Sequence, residues 1–382
     1  MIAYVCVDPG IPVFGTKGAS VHIQEIVRAW RALGHDVHIY CTRLGDERPA
    51  DLADVPVTHI PVGKGTGATE RERAASRERE VAAAAQQIAR MIKLSGARAV
   101  YERYSLFSTV LAQVSAKLGI PGYLEVNAPL VEEQLKHRIL VDEERCWAEL
   151  RAQLRAARRV ATVSQDVADW CLRVGGDPDL AERIVVAANG VNLERIRPVE
   201  QGPEPVVLFV GTLKPWHGTE DLIRAAALAR QPWRLRIVGD GPERARLEGL
   251  SAELGVDVEF VGAVAPSEIP DAMAGAWVAV APYPEQEDQY FSPLKVFEYS
   301  AAALPVVASN VGQIPAIVAD GETGLLVPPS QPESLASAID SLVSAPDRAR
   351  RLGLAGRELM AREHSWAKVL ERIRGERDEE TT

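Results

Sequence analysis

Short apolar runs alternate with longer amphipathic stretches along nearly the whole chain. In the first half the runs fall at residues 3–7, 37–41, 57–62, 99–102, 123–126, 160–164 and 184–188. Continuous apolar runs of this length predict strands buried on both faces. The stretches between them have helical spacing. Over residues 21–33, Ile23, Ile26, Val27, Trp30 and Leu33 share one face, and an alanine-rich helix is predicted over residues 78–94. Strand and helix in regular alternation imply a parallel sheet with helices on both sides.

The alternation breaks at Asn189-Gly190-Val191-Asn192, followed by Pro198, Gly202, Pro203 and Pro205, which predicts a linker. It then resumes, with strands expected at 206–210, 235–238, 258–261, 278–281 and 306–308 and a last helix at 366–373. The fold class that follows is α/β, with two Rossmann-like doubly wound domains facing across a cleft. Residues 1–188 form the first domain and 204–363 the second. Ligands in such sheets bind at the carboxyl ends of the strands.

Bulk properties narrow the function. A net charge of −10 over 382 residues argues against nucleic acid, which demands a basic surface. Cys6, Cys41, Cys146 and Cys171 lie far apart with no Cys-x-x-Cys pair, so they read as free thiols in a reducing compartment. The chain opens directly on a strand, without a basic leader or a long apolar run. Cytoplasmic localisation and no membrane span are expected.

Candidate chemistry gathers at a few strand ends. Ser292 and Pro293 read as the N-cap and first position of a helix that carries Lys295 in its first turn and Glu298 one turn deeper. A helix N-terminus with a lysine binds anions, and a glutamate can hold a diol, so this element, with Leu294, suits a nucleotide. The segment Gly211-Thr212-Leu213-Lys214-Pro215-Trp216-His217-Gly218 leaves the first strand of the second series. Lys214 and His217 can face a phosphate there, or Lys214 is merely exposed. Gly239 follows the next strand and suits a close backbone approach. In the first half, Gly15-Thr16-Lys17-Gly18-Ala19-Ser20-Val21-His22 opens a helix at Ser20, and Gly18 allows an anion near. For His22 a packing role and a substrate contact fit equally. Arg103, Glu125 and Asn127 end neighbouring strands, where Glu125 and Asn127 can bond acceptor hydroxyls; a buried Arg103–Glu125 ion pair is the alternative.

Three further segments have plainer explanations. Asp177-Pro178-Asp179 follows two glycines and reads as a turn rather than a metal motif. Gly63-Lys64-Gly65-Thr66-Gly67 reads as a mobile loop, an acceptor lid. The five-arginine helix at 145–159 reads as an amphipathic surface helix, with weak peripheral membrane contact as its alternative.

Taken in order, these motifs resemble glycosyltransferase family 4, retaining enzymes of the GT-B fold. That family shows two glutamates separated by seven residues, then Gly-x-Pro-Val-Val. Glu298 matches the second glutamate and Ala303-Leu304-Pro305-Val306-Val307 the tail, whereas Tyr290 takes the first position. A nearby carboxylate among Glu285, Glu287 and Asp288 can stand in for it, or that acidic run is a solvated rim. The family's Gly-Arg-Leu-x-x-x-Lys-Gly clamp for the donor diphosphate has Thr212 and His217 at its cationic positions, with Lys214 between them.

The resemblance implies transfer of a sugar from a nucleotide-diphosphate donor to a hydroxyl of a small-molecule or glycan acceptor. It implies a donor-binding second domain, an acceptor-binding first domain, and a tail at 364–382 that rejoins the first. No cofactor or metal is required if Lys214, Lys295 and helix dipoles stabilise the leaving diphosphate. Lys214, Arg103 and Glu298 are then the catalytic set; Gly18, Gly211, Thr212, His217, Gly239, Ser292, Pro293, Leu294 and Lys295 contact the donor, and Lys17, His22, Glu125 and Asn127 the acceptor. A non-catalytic nucleotide-sugar sensor and another GT-B activity, such as a sugar-nucleotide epimerase or a pseudo-glycosyltransferase, are the rival readings. Oligomeric state is not encoded in these motifs.

Overall fold

The computed structural model describes residues 1–286 and 289–375. The chain divides into two units, residues 1–188 with 369–382, and residues 189–368. In the first, the strands are β1 (Ile2–Cys6), β2 (Val37–Cys41), β3 (Val57–His59), β4 (Ala99–Arg103), β5 (Gly122–Val126), β6 (Arg159–Thr162) and β7 (Ile184–Val186). They pair in the order β3-β2-β1-β4-β5-β6-β7, parallel throughout. In the second, β8 (Val206–Val210), β9 (Arg234–Val238), β10 (Val258–Gly262), β11 (Val278–Ala281), β12 (Val306–Ser309) and β13 (Gly324–Val327) pair in the order β10-β9-β8-β11-β12-β13. Each order reverses once, beside β1 and beside β8, and the crevice at such a reversal is where doubly wound sheets hold ligands.

Every strand read from the apolar runs is present. β13 is additional: its Gly-Leu-Leu-Val is short and only partly buried, and it becomes a strand by pairing with β12. Core side chains come from alternate faces of the strands and the inner faces of the helices, as in the cluster joining Phe209, Leu222, Ile237, Val280, Val307 and Ile339 in the second unit.

Four local expectations are corrected. The predicted linker is docked: Val191 bridges to Ser365 and Gln201 to Gly275, within the unit of residues 189–368. The glycine segment 63–67 is fastened rather than lid-like, because Gly63 N–H donates to Glu80 at 3.2 Å and Thr66 Oγ meets Ser76 Oγ at 3.1 Å. Beneath it, Thr69 and Glu72 form a reciprocal capping box that starts the helix Glu70–Lys93 eight residues earlier than its alanines suggest. The first helix runs over Gly18–Ala32, because Ser20 Oγ donates to Pro12 O at 2.6 Å and serves the preceding loop instead of capping.

The arginine-bearing helix, Glu143–Ala156, buries Cys146, Leu150 and Leu154 within the first unit, and Trp147 packs on Trp170. Its apolar face is thereby used inside the fold, which favours the surface-helix reading. Asp177 accepts from Arg183 and from Asp179 N–H, so the Asp-x-Asp pair is part of a turn. The last helix, Trp366–Arg374, passes from the second unit into the first at Val369, and Arg374 lies over the Trp30 ring at 5.5 Å. Residues 376–382 of the predicted tail lie outside the described residues.

Candidate active site

In the second unit, sequence-predicted residues converge where β8 ends. The chain leaves β8 through Gly211, whose φ of 154° is open to glycine. Gly239, with φ 138°, lies so close that an added Cβ would come within 2.0 Å of the Gly211 carbonyl oxygen. The close approach that Gly239 permits is therefore to the neighbouring loop, which packs the two turns as one bed. Thr212 is exposed; Lys214 is half-buried, with its amine 5.4 Å from the centre of the exposed Trp216 ring.

The helix Leu294–Ala301 closes the other side. Tyr299 fixes it to the end of β8, since Val210 N–H donates to Tyr299 Oη at 2.6 Å. Pro293, not Ser292, occupies the cap position, with ψ of 96° and no side-chain cap. The Ser292 hydroxyl instead accepts from Asn189 N–H at 3.1 Å, and the Asn189 amide donates to Ser292 O at 2.7 Å. The expected N-cap is corrected: the docked segment from Asn189 claims that hydroxyl. Glu298 faces the same segment and accepts from Arg195 at 3.3 Å.

Lys295 is the unusual member. Its side chain is buried, its amine stands 4.1 Å from the Phe209 ring centre and 5.3 Å from that of Tyr283, and among the described residues it has no hydrogen-bond partner. Burial lowers this amine to about 7, against a pull upward from Glu298. His217 closes the cage through its ring contact with Tyr283, and its Nδ1 meets the Thr212 carbonyl. Burial first, then the Lys295 charge, lowers His217 to about 4, so the imidazole is neutral at pH 7.

In the first unit the sequence-predicted residues form one buried cluster around Glu125. Arg103 Nη1 lies 2.7 Å from Oε1, the Tyr101 hydroxyl donates to Oε2 at 2.6 Å, His22 Nε2 lies 2.8 Å from Oε2, and the Asn127 amide also donates to Oε1. Burial alone would raise Glu125, yet His22, Arg103 and the Tyr101 hydroxyl hold it far below the usual carboxylate range. The buried Arg103–Glu125 ion pair weighed from the sequence is present. Lys17 is exposed at the start of the first helix, beside Gly18.

Also in the first unit is a cavity of about 870 Å³ that draws on neither Lys17, His22, Glu125 nor Asn127. Its lining combines the apolar Phe107 and Leu130 with the cationic Lys64, Arg73, Arg77 and Arg138 and the acidic Asp8, Glu70 and Glu133. Glu78, also on its wall, has both oxygens engaged by the N–H groups of Val141 and Asp142.

Residues 16–195 match the family described as Glycosyltransferase Family 4, and residues 204–345 match Glycosyl transferases group 1. An alpha-maltose-1-phosphate synthase of Mycolicibacterium smegmatis is 30% identical over 391 residues, covering 93% of each chain. The chain belongs to glycosyltransferase family 4. A D-inositol 3-phosphate glycosyltransferase of Rhodococcus jostii is 36% identical over 214 residues, 50% of this chain and 46% of that one. Sucrose-phosphate synthase from Thermosynechococcus elongatus has the same GT-B fold, with a TM-score of 0.70 at 25% identity over 97% of this chain and 96% of that one. The Anabaena protein HepE, crystallised with UDP, shares the fold at a TM-score of 0.68 and 18% identity, covering 98% of each chain. This glycosyltransferase is accordingly a retaining, hexosyltransferase-like enzyme that transfers a sugar from a nucleotide-sugar donor, and its family is generally metal-independent.

No helix among the described residues of the glycosyltransferase is long and apolar enough to cross a membrane. Of its neighbours at the candidate site, Arg195, Asn189, Phe209, Tyr283 and Trp216 were not singled out as site residues in the sequence. Only Trp216 carried a signal, an exposed aromatic between two basic residues. Glu287 and Asp288, candidate substitutes for the missing first glutamate, lie outside the described residues.

Proposed function

We propose that the second unit binds the donor with its diphosphate over the end of β8 and that the first unit takes a phosphorylated small acceptor. In this reading Lys295 and the first turn of its helix face the diphosphate, with Lys214 as a second, more exposed cation. Gly211, Thr212, His217, Gly239, Pro293 and Leu294 form the bed beneath it, and Ser292 ties that bed to Asn189. Glu298 holds the ribose diol, oriented by Arg195. Glu125, with both oxygens already taken, acts as a positioning residue that sets His22, Arg103 and Asn127. Lys17 and Gly18 keep a place at the rim of the first helix.

Replacing Glu298 by Gln removes a charged acceptor, a change of about 1.5–3 kcal/mol. Calorimetric affinity for the nucleoside diphosphate should therefore fall roughly tenfold to a hundredfold. An unchanged affinity would remove Glu298 from the donor site.

The acceptor assignment is carried by the first-unit cavity, whose lining brings Lys64, Arg73, Arg77 and Arg138 together with the apolar Phe107 and Leu130; of its carboxylates Asp8, Glu70, Glu78 and Glu133, Glu78 is already engaged by backbone N–H groups. Arginine in this density suits phosphate. The names of the relatives, an inositol 3-phosphate glycosyltransferase and a maltose-1-phosphate synthase, point to phosphorylated compounds of similar size. Transfer to a phosphorylated polyol should exceed transfer to its unphosphorylated counterpart by at least about tenfold, the worth of one charged hydrogen bond. The double variant Arg77→Ala, Arg138→Ala should lose that preference. Equal transfer to both acceptors by the parent enzyme would overturn the assignment.

A further inference from the structure

Positive charge at the donor site is distributed unusually. Thr212 is uncharged, and half-buried His217 is neutral at pH 7. Lys214 rests against the exposed face of Trp216. What remains in the interior is the Lys295 amine, which among the described residues bonds to nothing and lies 2.6 Å from where a Cβ on Gly211 would stand.

Few titratable groups face that amine. On its own helix there is Glu298, one turn away and paired with Arg195. From the loop after β8 comes neutral His217, and from the segment after β11 comes Tyr283, whose phenol is raised by burial and stays protonated. β8 contributes only the Phe209 ring. Two aromatic faces favour an ammonium, but burial outweighs them and leaves the amine close to 7. An arriving diphosphate changes the balance, because two negative charges at contact distance favour the charged form.

We propose that Lys295 takes up a proton each time the donor diphosphate binds, so that the neutralising charge is created on arrival rather than stored in the empty site. The proton comes from solvent onto the Nζ lone pair, and it returns to solvent when the diphosphate leaves. The inference rests on the donor placement proposed above. Its use to the enzyme is that no carboxylate need be held against the lysine between turnovers, and none has to be displaced by the substrate. The sign is fixed: donor affinity is full below pH 7 and weakens as pH rises above it, until the pKa of the bound state is passed.

The test uses the whole enzyme and whichever of UDP-, GDP-, ADP- or dTDP-glucose raises its melting temperature most. Such diesters carry no diphosphate proton near neutrality, so any proton bound belongs to the protein. Calorimetry at pH 8.0 in two buffers of different ionisation heat should show uptake of about 0.9 proton, because an amine near 7 is then roughly nine-tenths neutral. Between pH 7.5 and 8.5 the Kd should rise roughly eightfold. Lys295→Arg, charged at every pH used, should bind without uptake and with a flat pH profile; Lys295→Met should bind weakly, also without uptake. Tight binding by the parent with no proton uptake at pH 8.0, or undiminished uptake in either variant, would overturn the proposal. If no donor binds, or if Lys295→Met binds as tightly as the parent, it is the donor placement that has failed instead.

Discussion

Lys295→Met should lower kcat/KM by about a hundredfold to a thousandfold, the loss expected when one preorganised donor to a developing charge is removed. The same substitution should stabilise the ligand-free enzyme. A buried amine without a partner costs on the order of 1–3 kcal/mol, and methionine fills similar space without that cost. Thermal unfolding of the second unit should therefore move upward while activity collapses, the opposed pattern of a group kept for function. The pH dependence has a defined sign. Lys295 is lowered from 10.5 to about 7 in the folded chain. Between those values the unfolded state binds the extra proton, so the parent gains stability as pH rises from 7 toward 10.5 and the variant lacks that gain. Lys214→Ala, at a half-buried position against Trp216, should lose less activity than Lys295→Met. A variant at 295 that is both active and destabilised would mark the lysine as an ordinary packing residue.

Glu125→Ala should destabilise the first unit by about 3–5 kcal/mol, because it leaves the Arg103 guanidinium buried without its partner. For a unit of this size that corresponds to a fall of roughly 6–20 °C in its melting transition. Glu125 is held well below its ordinary value of 4.5, so its contribution is present above that value and is lost as pH falls below it. The parent should weaken steeply in acid, and the variant should lack that part of the slope. Glu125→Gln, which keeps the shape and some hydrogen bonds, should fall between the two. If instead Glu125→Ala keeps its melting temperature and loses only acceptor affinity, the carboxylate is a direct acceptor contact and the positioning role is wrong.

What was legible in the sequence reflects how each signal arises. Burial on both faces of a parallel strand forces continuous apolar runs, so twelve strands and both doubly wound units could be read directly. β13 escaped because its burial is partial and its identity depends on β12 beside it. The gathering of Gly211, Lys214, His217, Lys295 and Glu298 near the end of β8 was legible because the turn and helix start that hold them are local in the chain. Their states were not. Burial among Phe209, Tyr283 and His217 lowers the Lys295 amine to about 7, and those residues come from separate loops and a strand. Ser292 looked like a cap by local rules, but Asn189, 103 positions away in sequence, takes its hydroxyl. Glu298 meets Arg195 across the same separation. By itself the sequence determined the family, the two sheets and which residues gather at β8. Tertiary packing alone decided which polar atoms are already spoken for and which amine is left without a partner, since desolvation and hydrogen-bond pairing depend on neighbours in space rather than along the chain.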